Sequence, residues 1–345
     1  MRATKDHYDA ILLGSGHNTL VLQAYLSRAG LSTLCLEQGD RLGGGLRTVE
    51  FPEASGFHHN THAFFLRGIS EMPWFRDLEL ERHGARLITP ELNVAMVTAD
   101  DRSLEWWTDF EKTVTSFEAF NQRDAVTLRR WRDAFQPIVE QILISESQAP
   151  PLPPDERRRK LEQSPHGRLL LETSQWSPIE FVRREFEHPA IRAGLLFFNG
   201  LREVDLRQRG FGHHIPSLLA SGRYAQVCEG GSAKLADALV SAIREHGGEF
   251  ETGVRIQRTL VEKGVATGVE LKDGAVLQAD RLIASGLNPQ QTFIDLLDDS
   301  PLHHEWQQKA AGFRYNLIAP LFALHLNLDR MPDYQGSVAT VSYTH

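Results

Sequence analysis

The stretch Asp9-Ala10-Ile11-Leu12-Leu13-Gly14-Ser15-Gly16-His17-Asn18-Thr19-Leu20 decides the fold, together with Glu37 and Gly43-Gly44 downstream. Ala10 to Leu13 is a short apolar run, as in a strand buried on both faces. Gly14 turns the chain sharply out of that strand. Gly16 has no Cβ, so a pyrophosphate can approach the backbone. A helix follows from Asn18 to Ala29, stopped by Gly30. Its first amides and the positive end of its dipole point at that anion. Ser32 to Glu37 reads as the second strand. Glu37 ends it about 20 residues on, where an acid accepts hydrogen bonds from ribose hydroxyls. Gln38-Gly39-Asp40-Arg41-Leu42-Gly43-Gly44-Gly45 is a second loop whose backbone can lie close to a phosphate. The third glycine of G-x-G-x-x-G is replaced by Thr19, which predicts slightly looser helix–strand packing with the site retained. The competing reading is an ordinary βα turn without a ligand. The strand before, the helix after and the terminal acid favour nucleotide binding.

Bulk properties narrow the class. A chain of 345 residues suggests two domains, and 41% hydrophobic with 24% charged residues is a globular composition. A formal net charge of −8 argues against a nucleic-acid partner, which needs a basic face. The basic run Arg157-Arg158-Arg159-Lys160 follows Pro150-Pro151-Leu152-Pro153-Pro154 and reads as a solvated helix start after a proline-rich connection. Cys35 and Cys228 are the two cysteines, and nothing suggests a disulfide framework or a C-x-x-C redox pair, which fits a reducing compartment. Met1 to Asp6 lead into the first strand without a signal peptide, and no window approaches 18 uninterrupted apolar residues. The expectation is a cytoplasmic protein, with peripheral membrane association open.

Beyond the second loop, His58, His59 and His62 invite a metal reading, but their spacing fits no zinc pattern and no metal site is expected. They read as residues lining a pocket or packing a domain junction. From about Ser70 to Arg223 large apolar residues recur at helical spacing, as in Phe110, Val114 and Phe117. Ala193 to Leu201 is the most apolar part of this insertion. The nucleotide-domain style returns at Gly230-Gly231-Ser232. A helical stripe of Leu235, Ala238, Leu239, Ala242 and Ile243 follows. Val254–Val261, Val265–Leu271, Ala275–Ala279 and Arg281–Ser285 read as short strands, with Asp273-Gly274 as a hairpin turn. Gly286 with Asn288-Pro289 closes the last, and helices resume near Gln290.

Gly14-Ser15-Gly16-His17-Asn18, Glu37, Gly43-Gly44 and the returning block from Gly230 to Pro289 together resemble the flavoproteins of the phytoene desaturase and amine oxidase superfamily. Gly16-His17-Asn18 is similar to the carotenoid desaturase branch, which includes the pyridine nucleotide-disulphide oxidoreductase domain-containing proteins and related carotenoid ketolases. The resemblance implies an α/β fold: a Rossmann-like FAD-binding domain of a parallel sheet plus a β-meander, from residues 1–69 and 224–290. A mostly helical α+β substrate domain, residues 70–223 and 291–345, would be inserted into it. It implies Gly14, Gly16 and Asn18 at the pyrophosphate, His17 among the cofactor-binding residues, Glu37 at the adenosine ribose, and Gly43 and Gly44 toward the diphosphate or flavin. The backbone of Val254 would meet the adenine, and Gly286 would end its strand near the cofactor. Some relatives carry an arginine where this chain has Gly45; Arg41 or Arg47 would then supply that contact. Members of the family run longer, and their final glycine-rich segment has no counterpart before His345, which implies a substrate domain incomplete at its C-terminus.

The implied reaction is FAD-dependent removal of hydride from an apolar small molecule, as in carotenoid desaturation. The flavin carries the chemistry, so no nucleophile–base constellation is required. Catalytic residues stay unassigned; His58, His59 and His62 are candidates for a flavin-facing pocket or for a purely structural role. An amine oxidase, a non-catalytic escort protein like the Rab GDP-dissociation inhibitors or an inactive remnant, and an NAD-dependent dehydrogenase are the alternatives. The second glycine loop fits FAD better than NAD. Oligomeric state is open.

Overall fold

The computed structural model describes residues 3–200, 205–222, 225–297, 303–314 and 324–330. Much of the stretch 291–345 therefore lies outside the described residues. In chain order come β1 (His7–Leu13), α1 (His17–Arg28), β2 (Thr33–Glu37), β3 (Thr48–Glu50), β4 (His58–Asn60), α2 (Pro73–Asp77), β5 (Leu87–Ile88), β6 (Leu92–Val97) and β7 (Ser103–Trp107). The helical region follows: α3 (Phe110–Glu118), α4 (Gln122–Ile138), α5 (Ile144–Ser147), α6 (Pro154–Glu162), α7 (Pro165–Ser174), α8 (Pro178–Glu185), α9 (Pro189–Gly200) and α10 (His214–Ala220). The chain then returns with β8 (Val227–Cys228), α11 (Ala233–Glu245), β9 (Glu249–Thr252), β10 (Ile256–Glu262), β11 (Val265–Leu271), β12 (Val276–Ser285) and α12 (His304–Gly312).

The main sheet has the order β10-β11-β12-β1-β2-β9. Strands β12, β1, β2 and β9 run parallel, and β10, β11 and β12 form an antiparallel meander. Parallel strands are covered on both faces, which is why β1 needs apolar residues at successive positions. Ile11, Leu12 and Leu13 are each at most 1% exposed. On one face Leu12 and Cys35 meet Leu20 and Ala24 of α1 and Leu235, Ala238, Leu239 and Ile243 of α11. On the other, Ile11, Leu13, Leu34 and Leu36 cluster with Val269, Leu271 and Leu277 of the meander and with Leu296. Phe75, Leu78, Leu80 and Ala85 join the first cluster, and β5 pairs with β8, so the chain up to Ile88 shares the core of the nucleotide-type layer.

The sheet departs from the sequence reading in two places. Residues 275–279 and 281–285, read as separate strands, form one strand, β12, beside β1. A register shift between Tyr8 and Ala10 absorbs Asp280 and Arg281, so two polar residues bulge out of the ladder without ending it. Strand β9 has no counterpart in the sequence reading. Among the described residues it pairs with β2 alone, and its Glu-Phe-Glu-Thr sequence buries only Phe250, a weak signal typical of an edge.

The helical region has its own core of Val114, Phe117, Leu128, Phe181, Ile191 and Leu195. Trp106 of β7 meets Phe198 edge-on at 5.2 Å. Asp124 is 1% exposed and accepts from the amides of Glu187 and His188, both at 2.8 Å, tying α4 to the start of α9. Pro137 removes a donor near the end of α4, and the helix continues through a π turn at Val139–Leu143 into α5. The basic run lies in α6, as its sequence predicts. Arg157 pairs with Glu146 through two hydrogen bonds, at 2.7 and 2.8 Å. Among the described residues, no helix is long and apolar enough to cross a membrane.

Candidate functional site

The sheet order fixes where a ligand can sit. From β1 the chain goes to β2 on one side, while β12 lies on the other. The crevice therefore opens at the carboxyl ends of β1 and β12, the topological switch point of the sheet. Gly14 stands at that edge with φ +81°, a conformation glycine adopts without strain. Its amide donates to Leu36 O at 2.8 Å. Gly16 is a glycine for a different reason. Its φ is −61°, and a Cβ there would meet nothing within 4 Å. The missing side chain leaves open space above the first turn of α1. Among the described residues no side chain caps that helix, so its first amides face the space unclaimed. His17 and Asn18 lie exposed on this first turn.

Glu37 closes the adjoining wall. Its Oε2 accepts from the Ser15 amide at 3.0 Å and the Ser15 hydroxyl at 2.6 Å, and its Oε1 accepts from the Gly39 amide at 2.8 Å. A carboxylate offers about four lone-pair sites. Three are used, so about one acceptor position on Oε1 stays available. The Val254 amide donates to Glu37 O at 3.1 Å and the Gly253 amide to Gly39 O at 2.9 Å, which fastens the start of the meander to the end of β2. Val254 itself precedes β10, which begins at Ile256. Gly14, Glu37 and Val254, distant in sequence, thereby line one cavity of about 300 Å³ with Ile256, Lys272 and Leu287. That volume is at the low end for ligand pockets, ~300–1,000 Å³.

The second glycine loop lies against the first. The Gly43 amide donates to Ser15 O at 3.0 Å, and Gly16 bridges Gly43. A Cβ on Gly44 would come 3.0 Å from Gly16 Cα, and one on Gly43 would come 2.6 Å from Ala236 Cβ in α11. Both glycines thus permit protein–protein contact within the site. The third glycine pair, Gly230-Gly231, turns into α11 under the β3–β4 hairpin. Asn60 Oδ1 accepts from the Ser232 amide at 2.9 Å, and Thr48 Oγ1 accepts from the Ala233 amide at 3.1 Å. These two residues cap α11 from another element and have no signature in the sequence.

Gly286 follows the last residue of β12, and its amide donates to Leu13 O at 2.9 Å. A Cβ on Gly286 would fall on the Thr19 hydroxyl. The small residue that G-x-G-x-x-G normally keeps on the helix is kept here on the strand. His59 is 9% exposed and sits between Phe51 at 5.8 Å and His325 at 4.9 Å, ring centre to ring centre. His62 Nδ1 lies 3.0 Å from the Thr61 hydroxyl. Among the described residues, no group of three or more His, Cys, Asp or Glu could hold a metal ion. Cys35 is buried against Gly14 O, and burial pushes its thiol up to about 12, so it acts as a small core residue.

A parallel sheet with a glycine turn, an open helix N-terminus and an acid at the next strand end defines a dinucleotide-binding Rossmann-type domain. The model of the NAD(P)-binding Rossmann-like domain matches residues 13–78. The chain is 27% identical to a subunit of the limonene dehydrogenase of Castellaniella defragrans, over 95% of this chain and 61% of that protein. It is 26% identical to pyridine nucleotide-disulfide oxidoreductase domain-containing protein 2 of Rattus norvegicus, over 96% and 62%. It is 25% identical to the phytoene desaturase of Cercospora nicotianae, over 82% and 46%. The chain thus spans about six tenths of the length of the first two relatives. Among solved structures, an oxidoreductase from Methanosarcina mazei aligns with a TM-score of 0.57 at 18% identity, over 83% of this chain and 60% of that one. A putrescine oxidase variant aligns with a TM-score of 0.56 at 15% identity, over 88% and 63%. The homologues are the desaturases and related oxidoreductases that the glycine loops pointed to, and the structural neighbours share the fold.

Proposed function

We propose that the chain binds FAD and forms the cofactor-binding part of an oxidoreductase that removes hydride from an apolar small molecule. The carrying observation is the cavity that joins Gly14, Glu37 and Val254 beside the open space over Gly16. The residues present suit the group. Glu37 keeps about one acceptor position for a ribose hydroxyl, Val254 offers backbone to the adenine, and Gly14, Gly16, His17 and Asn18 surround the pyrophosphate position. Gly43 and Gly44 carry the second loop over the first, and Gly286 ends β12 at the same crevice. When bound, FAD supplies a two-electron acceptor for hydride. The protein's part is to hold it, orient it and keep water from the reacting carbon.

Relatives named phytoene desaturase and limonene dehydrogenase support an apolar substrate. So do Phe51, Phe57, Phe64 and Phe65, which stay between 41% and 48% exposed just beyond the second glycine loop. In this reading residues 1–69 and 224–290 hold the cofactor, residues 70–88 pack into the core of that layer, and the substrate side comes from the rest of 70–223 with 291–345. On the same reading the protein works in the cytoplasm, where peripheral membrane contact would give it access to an apolar substrate. The likeness to putrescine oxidase is a likeness of fold and assigns no amine substrate.

The test is the absorption spectrum of the purified protein with and without added FAD, after removal of free flavin. The expected result is a retained, perturbed flavin spectrum. Absence of bound flavin at saturating FAD would reject the reading.

A further inference from the structure

Thr19 stands where the glycine pattern of the first loop calls for glycine, and its surroundings are unusual for a helical threonine. It is the third residue of α1 and only 5% exposed. Among the described residues, no group donates to or accepts from its hydroxyl. A helical threonine commonly bonds the carbonyl four residues back. Here that carbonyl, Ser15 O, accepts instead from the Gly43 amide at 3.0 Å. The direction of the hydroxyl is fixed by what it displaces. It fills the position that a Cβ on Gly286 would take, and that position is 3.5 Å from Leu13 O. Leu13 and Ser285 are the last residues of β1 and β12. The hydroxyl therefore points at the gap between the carboxyl ends of the two strands flanking the switch point, under the unclaimed amides of α1. The side chain is largely buried, but its hydroxyl is not sealed from solvent, so a ligand entering a crevice made for an anion can reach it.

We propose that the Thr19 hydroxyl donates a hydrogen bond to a phosphate oxygen of the bound dinucleotide, so that the third glycine's place is taken by a ligand-binding residue. Gly286 is glycine because that hydroxyl occupies its side-chain space. The proposal rests on the dinucleotide reading and adds one contact to it. The shared chemistry is a diphosphate, which both FAD and NAD carry.

The test measures affinities of the wild type and of Thr19→Val, Thr19→Ser and Thr19→Ala for FAD, NAD and adenosine, with thermal unfolding as the folding control. A hydrogen bond to a charged oxygen predicts that Thr19→Val weakens the dinucleotide about tenfold. Thr19→Ser retains most of the affinity, and adenosine, which has no diphosphate, binds both variants as it binds the wild type. Thr19→Ala serves as the hydroxyl-free variant if Thr19→Val does not fold. Whichever of FAD and NAD the wild type binds identifies the source of the diphosphate. Unchanged dinucleotide affinity in the hydroxyl-free variant would overturn the proposal and leave the dinucleotide reading standing. Equal losses for adenosine and dinucleotide, or a Thr19→Ser as weak as Thr19→Val, would overturn it in favour of a packing role. A wild type that binds neither FAD nor NAD would overturn both.

Discussion

Single residues in this site are held by what their neighbours lack. Gly286 has no side chain because Thr19 has one, and the two form a complementary pair across the helix–strand contact. Gly286→Ala forces a methyl onto the Thr19 hydroxyl, and overpacking of this kind costs roughly 1–3 kcal/mol. Adding Thr19→Ala leaves the nearest remaining atom of residue 19, its Cβ, 3.3 Å from the new methyl and relieves the worst of the clash. Urea denaturation of the two single variants and the double variant therefore shows strong coupling, with the double more stable than Gly286→Ala. Additive losses would show that the pair does not interact. The sequence makes Thr19 visible only as a missing glycine. Its partner lies 267 positions further along the chain, and only the fold brings the two together.

Elements in the helical region are joined by buried polar contacts that carry a pH dependence. His213 precedes α10, and its Nδ1 lies 2.9 Å from the Ser174 hydroxyl at the end of α7. Burial, followed by the neighbouring His214 and Arg157, pushes its imidazole from 6.5 down to about 3. The fold thus favours the neutral ring, while the unfolded chain takes up a proton near the ordinary value. The stability gained by burying a neutral His213 is full above about pH 6.5 and is lost as pH falls toward about 3. Within that window the slope approaches ~1.4 kcal/mol per pH unit. Denaturation midpoints at pH 7.5 and pH 5 should fall further for the wild type than for His213→Asn, which cannot titrate. Parallel falls would show that His213 does not carry the effect. At this scale the sequence is most legible where periodicity is strong. The α11 stripe and the β11 strand stand as read, whereas β9 escapes because an edge strand buries one residue, and β12 splits in two because a bulge resembles a turn.

Across the whole molecule, the dinucleotide layer is readable because β1, α1 and β2 are contiguous and each obeys its own local rule. The cavity is not readable by the same route. Gly14, Glu37 and Val254 line one wall only because Gly253 and Val254 bond back to β2, and hydrogen bonds between distant segments leave no local pattern. The resemblance to desaturases supplies Val254, and geometry supplies the reason: its amide binds the carbonyl of the residue whose carboxylate faces the same space. Asn60 and Thr48, which cap α11, come from structure alone. The claim that all this serves is that FAD binds with its adenosine ribose on Glu37. Glu37→Ala tests it most directly, through the FAD dissociation constant measured by flavin fluorescence for wild type and variant under the same conditions. Loss of one hydrogen bond to a charged acceptor, together with the Ser15 and Gly39 contacts that orient the loop, predicts affinity weakened at least about tenfold in a variant that remains folded. Equal affinities in wild type and Glu37→Ala would contradict it.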